Sequence, residues 1–269
     1  MPTRKGDRSV PKIAIVYFSG YGHTAKQAEA VRAGAESVTN SVVNVYSINE
    51  SGDLPSGAMA ELDSADAIIY ASPTYMGGPA WQFKKFADSS AKAFFARKWK
   101  DKLAAGFTNS ASINGDKHST IQYFWTLSQQ HGQVWIGTGL LPANMKANVP
   151  ADVNWTAGFA GALAVSPSDA SPDEAPQSGD LETAKLLGRR VAGSQRAPVR
   201  WSTASKAFRP ICDRRPPGSL PTRARAAIAE PSVLNGNLRI STPSSEIRSS
   251  SHVIILGCRD ARRCHGSSY

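Results

Sequence analysis

The chain has 269 residues, of which 41% are hydrophobic, and no apolar run approaches the roughly 18 residues that a membrane-spanning helix needs. Its net charge of +10 is uneven, because residues 1–194 carry 18 basic and 17 acidic side chains, whereas residues 195–269 carry 13 and 4. These properties argue against a membrane-inserted protein and against a strongly basic nucleic-acid-binding domain in the first part of the chain.

The first eleven residues form a basic extension that precedes a short apolar stretch, Ile13 to Phe18. Six apolar residues followed by Ser-Gly-Tyr-Gly lack the longer apolar core and the cleavage site of a secretory signal peptide. We therefore predict a cytoplasmic protein.

Strand-like and helix-like segments alternate from residue 12 to residue 192. Short apolar runs rich in β-branched residues predict buried strands, and apolar residues at intervals of three and four predict helices. In chain order, the predicted strands are Lys12–Phe18, Ser41–Ile48, Asp66–Ala71, Lys102–Thr108 and Gln133–Gly137. The predicted helices are His23–Val38, Ala58–Asp63, Pro79–Ala91, Thr120–Gln130 and Leu181–Ala192, the last with Asp180 as its N-cap.

This alternation predicts an α/β domain over residues 12–193, with a doubly wound, five-stranded parallel sheet and helices on both faces. The natural candidate for the strand order is the flavodoxin-like order 2-1-3-4-5. The segment Leu140–Gly179 is rich in proline and too long for a simple connection, and connections of this length are often functional.

The first loop (residues 19–24) lies between the first predicted strand and helix and reads Ser-Gly-Tyr-Gly-His-Thr. Backbone N–H groups and the positive end of a helix dipole bind phosphate, and Ser19 and Thr24 add hydroxyl groups. The loop lacks the Gly-Lys-[Ser/Thr] of a Walker A motif and the third glycine of Gly-x-Gly-x-x-Gly. A neutral loop of this kind predicts a bound monophosphate, and the alternative is an ordinary capped turn.

Two more loops follow later strands and would lie at the same sheet edge, where ligands bind in open α/β folds. The second loop (residues 72–79) reads Ser-Pro-Thr-Tyr-Met-Gly-Gly-Pro and could line a flat ring system. The third loop (residues 108–116) reads Thr-Asn-Ser-Ala-Ser-Ile-Asn-Gly-Asp, and its N–H groups could bind the edge of a heteroaromatic ring. Either loop alone could be a simple turn, but three loops at one edge predict a ligand site.

The segments IAIVYFSGYGHTAKQAEAV, ASPTYMGGPAWQFKKFAD and FTNSASINGDKHSTIQYFWTLSQQHG resemble the flavodoxin-like NAD(P)H:quinone oxidoreductases of the tryptophan-repressor-binding-protein type. The resemblance covers about residues 12–192 and leaves residues 195–269 unmatched. It implies an FMN enzyme, commonly a homotetramer, that takes hydride from NADH or NADPH and reduces quinones by two electrons.

The resemblance also implies which residues bind the cofactor. The FMN phosphate would be held by Ser19, Gly20, Tyr21, Gly22, His23 and Thr24, with Tyr21 also placed where the family contacts the nicotinamide nucleotide. The isoalloxazine would meet Pro73, Thr74, Tyr75, Met76 and Gly77. Its pyrimidine edge would meet Asn109, Ser110, Ala111, Ser112, Ile113 and Asn114.

The chemistry would reside on the flavin, so we predict neither a catalytic side chain nor a metal ion. His131, near the end of a predicted helix, could approach the flavin ring, as histidines near this place do in the family. The alternative for His131 is an interaction with the helix dipole.

Two departures from the family put the choice of substrate in doubt. The third loop has less glycine than is usual, and the position of an aromatic residue over the flavin falls near Phe94 or Phe95, with no tryptophan there. Two alternative functions therefore stay open: a flavodoxin-type electron carrier, and a flavin reductase of azo or nitro compounds.

From about Ser194 the chain is rich in Arg, Pro and Ser and shows no sustained periodicity. The three cysteines, Cys212, Cys258 and Cys264, all lie here, and their spacing matches neither a zinc site nor a disulfide framework. We predict that residues 194–269 are a disordered tail, or a sequence read out of frame. Nucleic-acid binding by this tail is not favoured, because it lacks interleaved aromatic residues and a folded module.

Overall fold

The computed structural model describes residues 10–194. The predictions made for residues 1–9 and for the tail from residue 195, including its three cysteines, lie outside the described residues. The strands are β1 (Lys12–Tyr17), β2 (Val42–Ser47), β3 (Ala67–Tyr75), β4 (Gly78–Pro79), β5 (Leu103–Ser110), β6 (Val134–Trp135) and β7 (Ala162–Val165). The helices are α1 (His23–Glu36), α2 (Ala58–Ser64), α3 (Trp81–Ser89), α4 (Ala91–Phe95), α5 (Lys117–His131) and α6 (Ser178–Ser194).

The strands form one parallel sheet in the order β2-β1-β3-β5-β6, which confirms the predicted doubly wound α/β fold. β7 also pairs in parallel with β5, further along that strand. The two-residue β4 is antiparallel to the end of β3. Because β1, β3, β5 and β7 all run the same way, the loops that follow them meet at one edge of the sheet.

The fifth position of the sheet differs from the prediction, because two short strands share it. β6 pairs with Leu103 and Ala104 at the start of β5, and β7 pairs with Phe107 to Ser110 at its end. The chain leaves the sheet after Trp135 and returns at Ala162, so part of the predicted insertion is itself a strand.

Three helix predictions were also wrong in their bounds. The helix expected over residues 79–91 is two helices, α3 and α4, separated at Ser90, whose hydroxyl donates to the carbonyl of Ala87. Helix α5 begins at Lys117, three residues before the predicted start. Helix α6 begins at Ser178, so Asp180 lies in its first turn and is not its N-cap; its carboxylate accepts a hydrogen bond of 2.8 Å from the Val165 N–H.

Hydrophobic residues cover both faces of the sheet. Successive side chains of a strand point to opposite faces, and along β1 the side chains on both faces are buried. One cluster holds the large aromatic side chains under α3 and α5, with Tyr70, Phe83, Phe86, Trp99 and Phe124 at its centre. The other cluster lies under α1 and α6 and includes Ile13, Ile15, Val31, Ile69 and Leu187.

Within residues 10–194, no helix has both the length and the apolar character needed to cross a membrane.

Candidate functional site

A cavity of about 460 Å³ opens at the carboxyl-terminal edge of the sheet. Four loops line it, following β1, β3, β5 and β7. The lining residues are Ser19, Gly20, Tyr21, His23, Thr24, Pro73, Thr74, Tyr75, Asn109, Ser110, Ala111, Ser166, Pro167, Ser168 and Ala170. The structure thus brings the three predicted loops together.

The first loop leads directly into α1 with its backbone donors free. Gly22 is the N-cap residue of α1, with a φ of 88°, and it has no side chain with which to cap the helix. The Ser19 hydroxyl accepts from the Ala25 N–H at 3.2 Å. Among the described residues, no protein acceptor is found for the N–H groups of Gly20, Tyr21 or Gly22. Since the first N–H groups of a helix also lack intrahelical partners, this end of the cavity is rich in unpaired donors.

The segment after β7 packs against the first loop and fixes its shape. A Cβ on Gly22 would lie 2.6 Å from Pro172 Cγ, so a side chain there would collide with the proline ring. His23 Nδ1 is 3.0 Å from the carbonyl oxygen of Ala175, and Lys26 forms an exposed ion pair with Asp173 at 3.1 Å. His23 therefore joins two loops, and its Nδ1 is engaged by protein.

The second loop lines the cavity with Pro73, Thr74 and Tyr75, but the Thr74 hydroxyl points into the protein. It lies 2.9 Å from the hydroxyl of Thr108 and 2.8 Å from that of Thr120. Met76 is fully exposed and Gly77 has a φ of 79°, and neither residue lines the cavity. The structure therefore leaves the last two predicted residues of this loop outside the site.

Two tyrosines lie at the mouth of the cavity. The rings of Tyr21 and Tyr75 meet edge to face with their centroids 6.2 Å apart. Tyr21 is 77% exposed and Tyr75 is 37% exposed, so both present aromatic surface to an incoming ligand. Partial burial and the neighbouring Tyr21 raise the pKa of Tyr75, so it stays neutral near pH 7.

The third loop contributes its first residues, Asn109, Ser110 and Ala111, to the cavity. The predicted residues Ser112, Ile113 and Asn114 do not line it. Their carbonyl oxygens accept hydrogen bonds from the buried ammonium group of Lys117, the first residue of α5.

The fourth loop (residues 166–170) was not predicted. The Ser166 N–H donates to the Ser110 carbonyl at 3.1 Å, and the Ser166 hydroxyl donates to Asn109 Oδ1 at 3.0 Å, so this loop is bonded to the third. A signal existed in the sequence. Ser166-Pro167-Ser168 follows an apolar run just as Ser72-Pro73-Thr74 does, and both runs turn out to be strands.

The structure does not bring His131 to the cavity. Helix α5 runs back along the sheet, and the Gly132 carbonyl after it accepts from Asp101 N–H at the start of β5, the opposite edge. His131 is buried there, 4.3 Å between ring centroids from Trp99, with Nε2 2.9 Å from the Ser90 hydroxyl. Burial lowers its pKa to about 4, so at neutral pH it carries no charge with which to meet the helix dipole.

No cluster of three or more His, Cys, Asp or Glu side chains within residues 10–194 could hold a metal ion.

Known proteins similar to this chain include a relative from Pseudomonas aeruginosa named Flavodoxin FldP. It is 48% identical over 181 residues, which are 67% of this chain and 95% of the relative. A crystal structure described as a flavodoxin, WrbA-like protein from Agrobacterium tumefaciens is 44% identical, with a TM-score of 0.55, and covers 69% of this chain and 98% of that one. The chain belongs to the flavodoxin-like family of the tryptophan-repressor-binding-protein type.

Other members of this flavodoxin-like family are named as enzymes. A relative from Aromatoleum aromaticum named NAD(P)H dehydrogenase (quinone) is 29% identical over 211 residues, covering 72% of this chain and 100% of the relative. The family model described as NADPH-dependent FMN reductase matches residues 50–146. The resemblance expected from the sequence is thus confirmed, and the chain belongs to a flavodoxin-like family in which some relatives are named oxidoreductases.

Proposed function

We propose that this protein binds FMN in the cavity and uses NADH or NADPH to reduce quinones by two electrons. The observation that supports this proposal most directly is the set of unpaired N–H donors in the first loop, at the start of α1. No lysine or arginine is found among the described residues that line the cavity. A phosphate monoester is a ligand that backbone dipoles and hydroxyl groups can hold without a basic side chain.

The volume of the cavity is compatible with a bound cofactor. The volume of about 460 Å³ falls within the range of roughly 300–1,000 Å³ that is usual for cofactor and small-molecule sites. In this proposal residues 19–24 hold the phosphate. Pro73, Tyr75 and residues 109–111 contact the ring, and the fourth loop covers the remaining side.

FMN, when bound, can accept hydride from a reduced nicotinamide and pass it to a quinone, so the protein need not supply a nucleophile. The residues of this chain bind and orient the reactants and exclude water. Tyr21 and Tyr75 at the cavity mouth would stack on the planar ring of the nicotinamide or the quinone. Cytoplasmic location and assembly as a homotetramer belong to the same proposal and rest on the sequence and on family resemblance.

An electron carrier is the second candidate, because the 48% identical relative is named a flavodoxin. Carriers of this kind tend to be strongly acidic, since they dock on basic partners through long-range attraction. Residues 1–194 carry 18 basic and 17 acidic side chains, so the domain offers no such field. The charge therefore favours the enzyme.

The purified full chain tests the proposal in two steps. The preparation should be yellow, or become yellow with added FMN, and should release FMN and not FAD on denaturation. It should then oxidise NADH or NADPH in the presence of benzoquinone without any added reductase. A protein that cannot take up FMN would contradict the whole proposal, and one that binds FMN without turnover would favour the carrier.

A further inference from the structure

Lys117 is a buried cation that directly follows the third loop, and no step of the proposed reaction uses it. It is 1% exposed although it is the first residue of α5, and within residues 10–194 it forms no ion pair. Its ammonium group instead donates to the carbonyl oxygens of Ser112, Ile113 and Asn114. An ammonium has three N–H donors, so these carbonyls use its full capacity.

This arrangement is unfavourable for stability alone. A positive charge at a helix N-terminus opposes the helix dipole, and burial of an ammonium that has no ion-pair partner costs desolvation energy. The residue before it, Asp116, has a φ of 50° and its side chain makes no cap hydrogen bond. Locally unfavourable features cluster at functional sites, which points to a role for Lys117 beyond stability.

The three carbonyl contacts also set the direction of the donors in the third loop. A trans peptide points its C=O and N–H in opposite directions. The carbonyls of Ser112, Ile113 and Asn114 face Lys117, so the N–H groups of the residues that follow them face away from it. Within the described residues, no protein acceptor is found for the N–H groups of Ile113, Asn114 or Gly115.

A second buried charge lies behind the fourth loop. Asp180 is 3% exposed and accepts from the Val165 N–H, directly before Ser166, while its Oδ1 has no partner within the described residues. Burial raises the pKa of Asp180 to about 6, and its charge partly offsets the effect of burial on Lys117, whose pKa falls to about 8. Both groups are therefore charged between about pH 6 and pH 8.

We infer that Lys117 is a positioning residue for the cofactor: it fixes residues 112–114, which directly follow the cavity-lining residues 109–111, and places a positive charge behind this loop. This inference rests on the proposed binding of FMN. The positive charge of Lys117 favours reduced FMN, the form that carries more negative charge. It therefore makes the reduction potential of the bound FMN less negative. The group acts through the loop and the electric field, and it does not contact a substrate.

The test compares Lys117→Met with Lys92→Met, which removes the same charge from an exposed position on α4. Lys117→Met should raise the FMN dissociation constant by about tenfold or more, since hydrogen bonds from a charged group are lost. It should make the reduction potential more negative and speed amide hydrogen exchange in residues 112–115 of the FMN-free protein. Lys92→Met should change none of these.

Asp180→Asn keeps an acceptor for Val165 and removes the negative charge that raises the pKa of Lys117. For the wild-type protein, FMN affinity should fall as the pH rises through about 8, because Lys117 loses its charge there. The phosphate has a pKa of about 6, so its own charge no longer changes in this range. In Asp180→Asn this fall should occur at lower pH, because the pKa of Lys117 is lowered further. This variant tests the inference even where Lys117→Met fails to fold.

The outcomes separate the two proposals. Unchanged FMN affinity, potential and loop exchange in Lys117→Met would overturn the role of Lys117 while leaving the proposed function intact. A wild-type protein that binds FMN without reducing quinones would overturn the function and leave the binding measurements to decide on Lys117. A wild-type protein that cannot bind FMN would overturn both.

Discussion

Gly22 and Gly57 are both the residue before a helix and both have positive φ, 88° and 82°, but their surroundings differ. A Cβ at Gly22 would collide with Pro172, whereas a Cβ at Gly57 would have nothing within 4 Å. A left-handed conformation costs a residue with a Cβ about 1–2 kcal/mol. The two positions therefore share a backbone cost and differ only in the contact with the segment after β7.

We expect Gly22→Ala and Gly57→Ala each to lower the free energy of unfolding by about 1–2 kcal/mol, with a further loss at Gly22 from the collision. Only Gly22→Ala should weaken FMN binding, because it displaces the donors of the first loop. Urea unfolding and FMN titration measure the two effects. Equal FMN affinity in both variants would show that the first loop does not bind the phosphate.

His131 makes stability depend on pH in the acid range. Its pKa is 6.5 in an unfolded chain and about 4 in the folded protein, because burial disfavours the charged ring. The unfolded chain therefore binds the proton first as the pH falls. Stability is lost between about pH 6.5 and pH 4, by about 3 kcal/mol in total, and does not fall further through this group below pH 4.

The variant His131→Gln, which does not titrate, isolates this contribution. We expect the melting temperatures of the two proteins to respond differently to acid, with the wild type losing more between pH 6.5 and pH 4. Carboxylates affect both proteins alike and cancel in the comparison. Parallel curves would mean that the imidazole ring reaches solvent in the folded protein.

Helices α1 and α6 approach closely at two glycines. A Cβ added to Gly34 would overlap the backbone carbonyl group of Lys185, and one added to Gly188 would overlap that of Val31. Backbone atoms cannot move aside as the end of a flexible side chain can. The two helices can therefore lie at this distance only because both positions lack a side chain.

Gly188→Ala should destabilise the protein by about 3 kcal/mol or more, as overpacking a close helix contact does. The control is Gly193→Ala in the same helix, where nothing lies within 4 Å and alanine favours the helix. Chemical denaturation of both variants gives the comparison. A small effect at Gly188 would mean that the helices separate at little cost.

Among the elements, β1, β3, α1 and the short helix α2 were predictable from local patterns, whereas β4, α4 and β7 were not. β1 and β3 are β-branched runs buried on both faces, and α1 has the right apolar spacing. β7 is only Ala-Leu-Ala-Val, and its pairing with Phe107 to Ser110 joins residues 55 positions apart. That pairing depends on tertiary contacts that no local pattern reveals, although Ser166-Pro167-Ser168 repeats the Ser-Pro pattern of the second loop.

The candidate site was predictable in its loops and not in its side-chain directions. Glycine, serine and proline after strands mark the first three loops. Nothing local shows that the Thr74 hydroxyl bonds to Thr108 and Thr120, or that Lys117 folds back onto its own loop. The contact of Thr74 with Thr108 depends on the pairing of β3 with β5, which the sequence alone does not give.

At the scale of the whole molecule, the sheet, its helices and the described residues that line the cavity lie within residues 10–194. We therefore expect a chain shortened to residues 1–200 to bind FMN with the affinity of the full chain and to melt at the same temperature. The full chain should differ in its stronger retention on a cation-exchange column, since residues 195–269 carry 13 basic and 4 acidic side chains. A loss of FMN binding on shortening would assign the tail a part in the site.

The segment between β6 and β7, which share the fifth position of the sheet, offers a place to insert a foreign peptide. Each of these two strands is anchored to β5 by its own pairing, and none of the residues 136–161 between them lines the cavity. A guest peptide spliced in near Met145, which is 74% exposed, would meet no register constraint, because β7 re-establishes its own alignment. The sheet could thus host an epitope or a reporter at its margin while the cavity kept its shape.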